Sequence, residues 1–301
     1  VKLSTLSKNS LAHLLKHSGC KFKVSAFNVC LSTPIDTVAD HLLRFYGAFE
    51  LLDEHQFIDF NVSVAAPNPL RRWLRPQVVF SFDGYLPFKP LPYSHASALF
   101  EWGLNWCVAS QSQQFLIVHA AVAEYNGQAF IFPGTPGSGK STLCAALVYS
   151  GWRLLSDEMA LISLADGLVY PVPRPISLKN QSLEVIKQFA PHAVMGSIVP
   201  DTSKGTVGHL RPPDRSVELG TTPARPAKLI FPKYQRGSTT TLTPVSKARG
   251  FIKAAENCFN YSVLGADGFN SLGRLCEAVD SYDFSYSELD QAIALFTELA
   301  Q

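Results

Sequence analysis

Residues 128–158 read QAFIFPGTPGSGKSTLCAALVYSGWRLLSDE, and this stretch decides the fold. An apolar strand, QAFIFP, runs into Gly134-Thr135-Pro136-Gly137-Ser138-Gly139-Lys140-Ser141, and the helical stretch STLCAALVYSG follows. The pattern is G-x-x-x-x-G-K-[ST], set between a strand and a helix as a phosphate-binding loop requires. Glycines let backbone amides converge on an anion, and the helix N-terminus adds its positive end. Lys140 would bridge the β- and γ-oxygens of a nucleoside triphosphate, and the Ser141 hydroxyl would ligate Mg²⁺. The candidate nucleotide contacts are therefore Gly134, Thr135, Pro136, Gly137, Ser138, Gly139, Lys140, Ser141 and Thr142.

Downstream, Gly151 ends the helix, and the next strand, WRLLS, delivers Asp157 and Glu158. That places an acid pair at the sheet edge where ligands bind in open α/β sheets. Many switch-type nucleotidases place their metal-binding Asp much later, so an early pair points to a different phosphoryl-transfer subclass. Upstream, FLIVHAAVAEY and QAFIFP flank Asn126-Gly127, a strong hairpin signal. His119 interrupts the first of these strands, where a satisfied core histidine and a functional one both fit.

Before residue 112 the pattern is different. KFKVSAFNVCL alternates like one strand, and Thr33-Pro34 predicts the cap and first position of a helix through DTVADHLLRFY. FIDFNVSVA and QVVFSFDGY read as strands, and HASALFEWGLNWCVAS reads as a helix with Trp102 and Trp106 on one face. Core packing accounts for that pair better than a base-stacking platform. The expected organisation is an N-terminal α+β domain over residues 1–112, placed to recognise a substrate or partner, and a catalytic α/β domain over 113–301. Residues 166–250, punctuated by PVPRP, RPPD and PARPAK, read as largely irregular.

Composition narrows the function classes. The chain has 301 residues, 47% hydrophobic and 17% charged, against roughly 25% charged in an average soluble domain; disorder is not expected. A formal charge of +2 is far from the basic balance of nucleic-acid binders. No apolar run is long enough for a membrane span, and the start lacks the apolar core of a secretory signal. Six scattered cysteines form no metal or disulfide pattern, which fits reduced thiols in the cytoplasm. Lys2, Lys8, Lys16, Lys21 and Lys23 make the N-terminus basic, as a solvated helix face or a docking surface.

The segment VHAAVAEYNGQAFIFPGTPGSGKSTLCAALVYSGWRLLSDEMALI resembles the catalytic core of HPr kinase/phosphorylase, whose relatives share a nucleotide fold with the ATP-dependent phosphoenolpyruvate carboxykinases. EWGLNWC, RPISLKN, DTSKGTVGHLRPP, FPKY and FNYSVLG bring the chain closer to the subgroup called HPr kinase-related kinase A, from about residue 20 to the end. The resemblance implies a P-loop kinase that uses ATP and Mg²⁺ to phosphorylate a serine-type hydroxyl. It implies Asp157 as general base, His119 beside it, and Glu158 with Ser141 at the metal, the opposite division between the two acids staying open. It further implies a peptide, small-protein or peptide-derived substrate, a small peptide-binding chaperone as partner, and a homo-oligomer.

Two departures bear on this. Thr142 stands where HPr kinases carry an acid, which puts phosphorolysis in doubt, and Glu158 replaces an Asp. The missing acid also keeps open a non-catalytic, nucleotide-gated binding module of a peptide-modification complex. Arg174, Lys179 and Lys204 are candidates for a phosphate or substrate clamp, ahead of Arg225, Lys228, Lys233 and His209.

Overall fold

A computed structural model describes residues 1–301 apart from the side chain of Arg72. The described residues form a mixed α/β protein with four sheets. It begins with α1 (Lys8–His17), β1 (Cys20–Val24), β2 (Phe27–Ser32), α2 (Asp36–Phe45), β3 (Phe60–Ala65), β4 (Gln77–Phe82), β5 (Leu91–Pro92) and α3 (Ala96–Gln111). Strands β1 to β5 form one sheet in sequence order, antiparallel except for β2 and β3.

Two expectations change here. KFKVSAFNVCL is a hairpin and not one strand, because Ser25 turns the chain at φ 59° with its hydroxyl donating to Gly220 O at 2.5 Å. Thr33 does not cap α2, which starts at Asp36. Its hydroxyl donates to Val64 O at 2.6 Å and accepts from Ile35 N at 3.1 Å, so it ties the loop to β3.

The remainder opens with β6 (Phe115–Val118), β7 (Ala120–Tyr125), β8 (Gln128–Pro133), α4 (Lys140–Tyr149), β9 (Arg153–Ser156), β10 (Ala160–Ser163), β11 (Val169–Tyr170) and β12 (Ile176–Lys179). Next come α5 (Gln181–Phe189), β13 (Val199–Thr202), β14 (Gly205–Leu210), α6 (Asp214–Glu218), β15 (Arg225–Tyr234), β16 (Thr241–Val245) and α7 (Lys247–Ala255). The chain ends with α8 (Tyr261–Leu264), α9 (Ala266–Ala278), β17 (Asp280–Tyr286) and α10 (Leu289–Leu299).

The principal sheet has six strands in the order β16-β17-β15-β8-β7-β9. Strands β17, β15 and β8 are mutually parallel, and β7 runs antiparallel to both β8 and β9. Strands β8 and β9 therefore point the same way, and their carboxyl ends share one edge with the start of β7. Two three-stranded sheets, β11-β10-β6 and β12-β14-β13, flank this layer.

Residues 166–250 carry six strands, β11 to β16, and the helices α5 and α6, so the region holds more regular structure than the irregular reading allowed, although PVPRP itself lies in coil. The prolines are accommodated where the ladder is incomplete. Pro226 sits at a register shift between β15 and β8, and Pro232 lies past the last β8 pair, where β15 is paired only with β17.

Packing joins the two halves. The apolar core around Phe22, Tyr46, Phe80 and Phe100 continues through Phe115, Ile117, Met159, Leu161 and Val172, beyond residue 112. A second core packs α4 and α10 on the principal sheet through Phe130, Phe132, Leu143, Leu147 and Phe296. The N-terminal lysines find partners within the chain: Lys2 with Glu218, Lys8 with Asp40 and Lys16 with Asp36. All six cysteines are free, and no helix among the described residues is long and apolar enough to cross a membrane.

Candidate functional site

Two glycines of the loop after β8 hold left-handed backbone. Gly137 (φ 88°) faces open space, whereas Gly139 (φ 94°) sits at the N-cap of α4. A Cβ on Gly139 would meet Tyr286 Oη at 2.4 Å and Tyr234 Cβ at 3.0 Å. Those tyrosines back the loop: Tyr286 donates its hydroxyl proton to Gly139 O at 3.0 Å, and Tyr234 N donates to Ser138 O at 2.9 Å. Lys140 folds onto the loop, its ammonium donating to Gly134 O at 2.5 Å and Thr135 O at 3.3 Å. Burial lowers its pKa, against the opposing pull of Glu158 and Asp157.

The acid pair follows β9 at the same edge. Asp157 is 5% exposed and its Oδ2 accepts from Ser177 N of β12 at 2.9 Å. Burial, with the neighbouring charge of Glu158, pushes this carboxyl up to about 7, while the Ser177 amide and the Ser141 hydroxyl act against the shift. Burial also penalises charge on Glu158, but the hydrogen bond from His119 and the charges of Lys179 and Lys204 outweigh it and hold the group at about 2. Two adjacent carboxyls are thereby pushed in opposite directions, Asp157 up and Glu158 down.

His119 sits at the break between β6 and β7, two strands that belong to different sheets. Its Nε2 is 3.4 Å from Glu158 Oε2. The segment after α7 fixes it: His119 N donates to Asn257 O at 2.7 Å, and Phe259 lies against the imidazole with ring centroids 5.3 Å apart. Asn260 locks this segment onto β6, accepting from Ile117 N at 2.9 Å and donating to Phe115 O at 2.8 Å.

Residues 104–176 match the sequence profile of a family described as SynChlorMet cassette protein ScmC. No curated protein matches the chain. The matched span runs from α3 to the first residue of β12 and includes the loop, His119 and the acid pair.

All three proposed clamp residues come near the acids, Arg174 by lining one cavity with Asp157 and Glu158. Lys179 and Lys204 act electrostatically on Glu158, and Lys204, on the turn between β13 and β14, has its ammonium 5.2 Å from the centre of the Trp102 ring. Burial also lowers the Lys204 pKa. Arg174 is held from below: it donates to Glu101 Oε2 at 3.1 Å and to Asn105 Oδ1. Glu101 also takes hydrogen bonds from Tyr46 and pairs with His41 at 2.7 Å. Lys228 pairs with Asp280 near the other end of β15, Arg225 begins that strand, and Lys233 is exposed near its end.

The tryptophan pair divides. Trp106 packs against Phe82, Tyr85 and Phe88, as a core residue would. Trp102 shares a cavity wall with Asp157 and Glu158. Sequence reasoning missed Tyr234, Tyr286, Ser177, Asn257 and Asn260. The signal within reach was that Tyr234 belongs to the FPKY block and Asn260 to FNYSVLG.

Proposed function

We propose that this protein is an ATP-dependent kinase that transfers the γ-phosphoryl group to a serine-type hydroxyl on a peptide, small protein or peptide-derived substrate, acting in the cytoplasm. The observation that carries this reading is the convergence, on one sheet edge, of the Gly134–Ser141 loop with the acid pair, Asp157 anchored by the Ser177 amide and Glu158 paired with His119. The resemblance to HPr kinase-related kinase A favours the same chemistry. A partial match to a family described as a cassette protein is compatible with a partner such as a small peptide-binding chaperone. A homo-oligomer is proposed from resemblance alone.

The residues present fit a nucleoside triphosphate. Gly137 leaves open space at the loop, α4 presents its N-terminus there, and Lys140 is held by carbonyls it can exchange for phosphate oxygens. Ser141 and Glu158 would hold Mg²⁺, which would supply charge neutralisation for the phosphates. Asp157 removes the proton from the acceptor hydroxyl as its oxygen forms the new bond to phosphorus. The bond between that phosphorus and the β-phosphate oxygen breaks, and ADP leaves. Glu158, fixed as an anion by His119, keeps the neighbouring Asp157 basic. Lys140, Lys179 and Lys204 supply positive charge where the phosphoryl group passes.

An assay of Mg·ATP turnover with short peptides encoded beside the gene tests this. ADP together with a peptide heavier by one phosphate is the expected pair of products. AMP with pyrophosphate would replace the reading by nucleotidyl transfer. One observation favours a second reading, a nucleotide-gated binding module: the first turn of α4 carries no acid, and Thr142 stands where HPr kinases have one. That reading predicts nucleotide-dependent partner affinity and no phosphoproduct.

A further inference from the structure

Ten buried side-chain polar atoms among the described residues lack a hydrogen-bond partner. Five of them, Trp102 Nε1, Asp157 Oδ1, Arg174 Nε, Ser177 Oγ and His209 Nε2, belong to residues that line one cavity of about 10 Å³. Native structures leave few such atoms unpaired. Their concentration around one small space points to a polar guest, and the space suits a single oxygen-sized group. Asp157, Arg174, Ser177 and His209 are each more than nine-tenths buried.

The guest's chemistry follows from the lining. Trp102 and Arg174 can only donate, and the unpaired carboxyl oxygen Asp157 Oδ1 is an acceptor. A hydroxyl gives one proton and accepts two, which matches that set. Trp102, Asn105 and Glu158 are the half-buried members of the wall, so a side chain from outside reaches the cavity past them. Lys204 over the Trp102 ring ties the same wall electrostatically to Glu158.

We propose that helix α3 supplies the acceptor side of the site: the acceptor hydroxyl seats in this cavity with its proton toward Asp157 Oδ1 and its oxygen held by the Trp102 Nε1–H. This rests on the phosphoryl-transfer reading for its role in turnover, but the seat itself is observable without turnover. It gives the N-terminal part of the chain a defined task, since Glu101, Trp102 and Asn105 all come from α3.

The test follows the Trp102 indole N–H resonance of the ¹⁵N-labelled full chain, assigned by its loss in Trp102→Phe. N-acetyl-L-serine methylamide is expected to move that resonance saturably, and N-acetyl-L-alanine methylamide, which lacks the hydroxyl, is not. In Trp102→Phe, which keeps an aromatic ring beneath Lys204, affinity for the serine probe should fall about two- to tenfold. No movement with the serine probe, or equal movement with both probes, overturns the proposal and leaves a cavity holding ordered water only. A serine-dependent shift without phosphate transfer supports the seat and counts against the kinase reading. Transfer with an indifferent Trp102 resonance does the reverse.

Discussion

The backbone N–H of Ser177 donates to Asp157 Oδ2 at 2.9 Å, so an acid at the end of β9 is anchored by a strand that begins nearly twenty residues later. The bond occupies one carboxylate oxygen and leaves Oδ1, buried and unpaired, for chemistry. It also ties the sheet β12-β14-β13, which carries His209 on β14 and Lys204 on the turn before it, to the acid pair. The loop, the base and the acceptor wall of the proposed kinase thus come from three separate stretches of chain.

Gly139 is the position where the loop has least freedom. Alanine there meets the Tyr286 hydroxyl and Tyr234 at a φ of 94°. Gly139→Ala should weaken Mg·ATP binding at least tenfold by calorimetry while the far-ultraviolet circular dichroism stays unchanged, because the strain lies in the loop and not in the core.

Gly103 in α3 tests packing on the acceptor side. A Cβ there would lie 2.1 Å from a Phe80 ring carbon of β4. Gly103→Ala should cost about 1–3 kcal/mol in urea unfolding, despite the better helix propensity of alanine. A neutral or stabilising result would show that Phe80 can move aside.

Burial depresses the His209 imidazole to about 4; Glu101 opposes the shift, while His41 and Arg174 reinforce it. The folded state therefore favours neutral His209, and the unfolded chain takes up the proton first. Its contribution to stability is complete above about pH 6.5 and is lost as the pH falls toward 4, up to about 3 kcal/mol. Urea midpoints measured across that window should fall in the native chain and fall less in His209→Gln.

What the sequence made legible was short in range. The loop, the Asn126-Gly127 hairpin and the acid pair each lie within a strand, a turn or one helix, where spacing alone determines geometry. His119 was visible as an interruption, but its setting by Asn257 and Phe259 depends on chain far away. Strand β15 was hidden because Pro226 in PARPAK read as a breaker, and only the pairing partner shows that its missing N–H falls at a register shift of the ladder. Trp102 looked like its neighbour Trp106 because helical spacing sets a face and does not say what that face meets.

The most direct test of the phosphoryl-transfer reading is the intact mass of an acceptor peptide after incubation with Mg·ATP and either the native chain or Asp157→Asn, with ATP affinity measured in parallel. One added phosphate is expected with the native chain, with a loss of at least a hundredfold in Asp157→Asn and ATP affinity within a few-fold of native in the variant. Equal phosphate incorporation by the two proteins would contradict that reading.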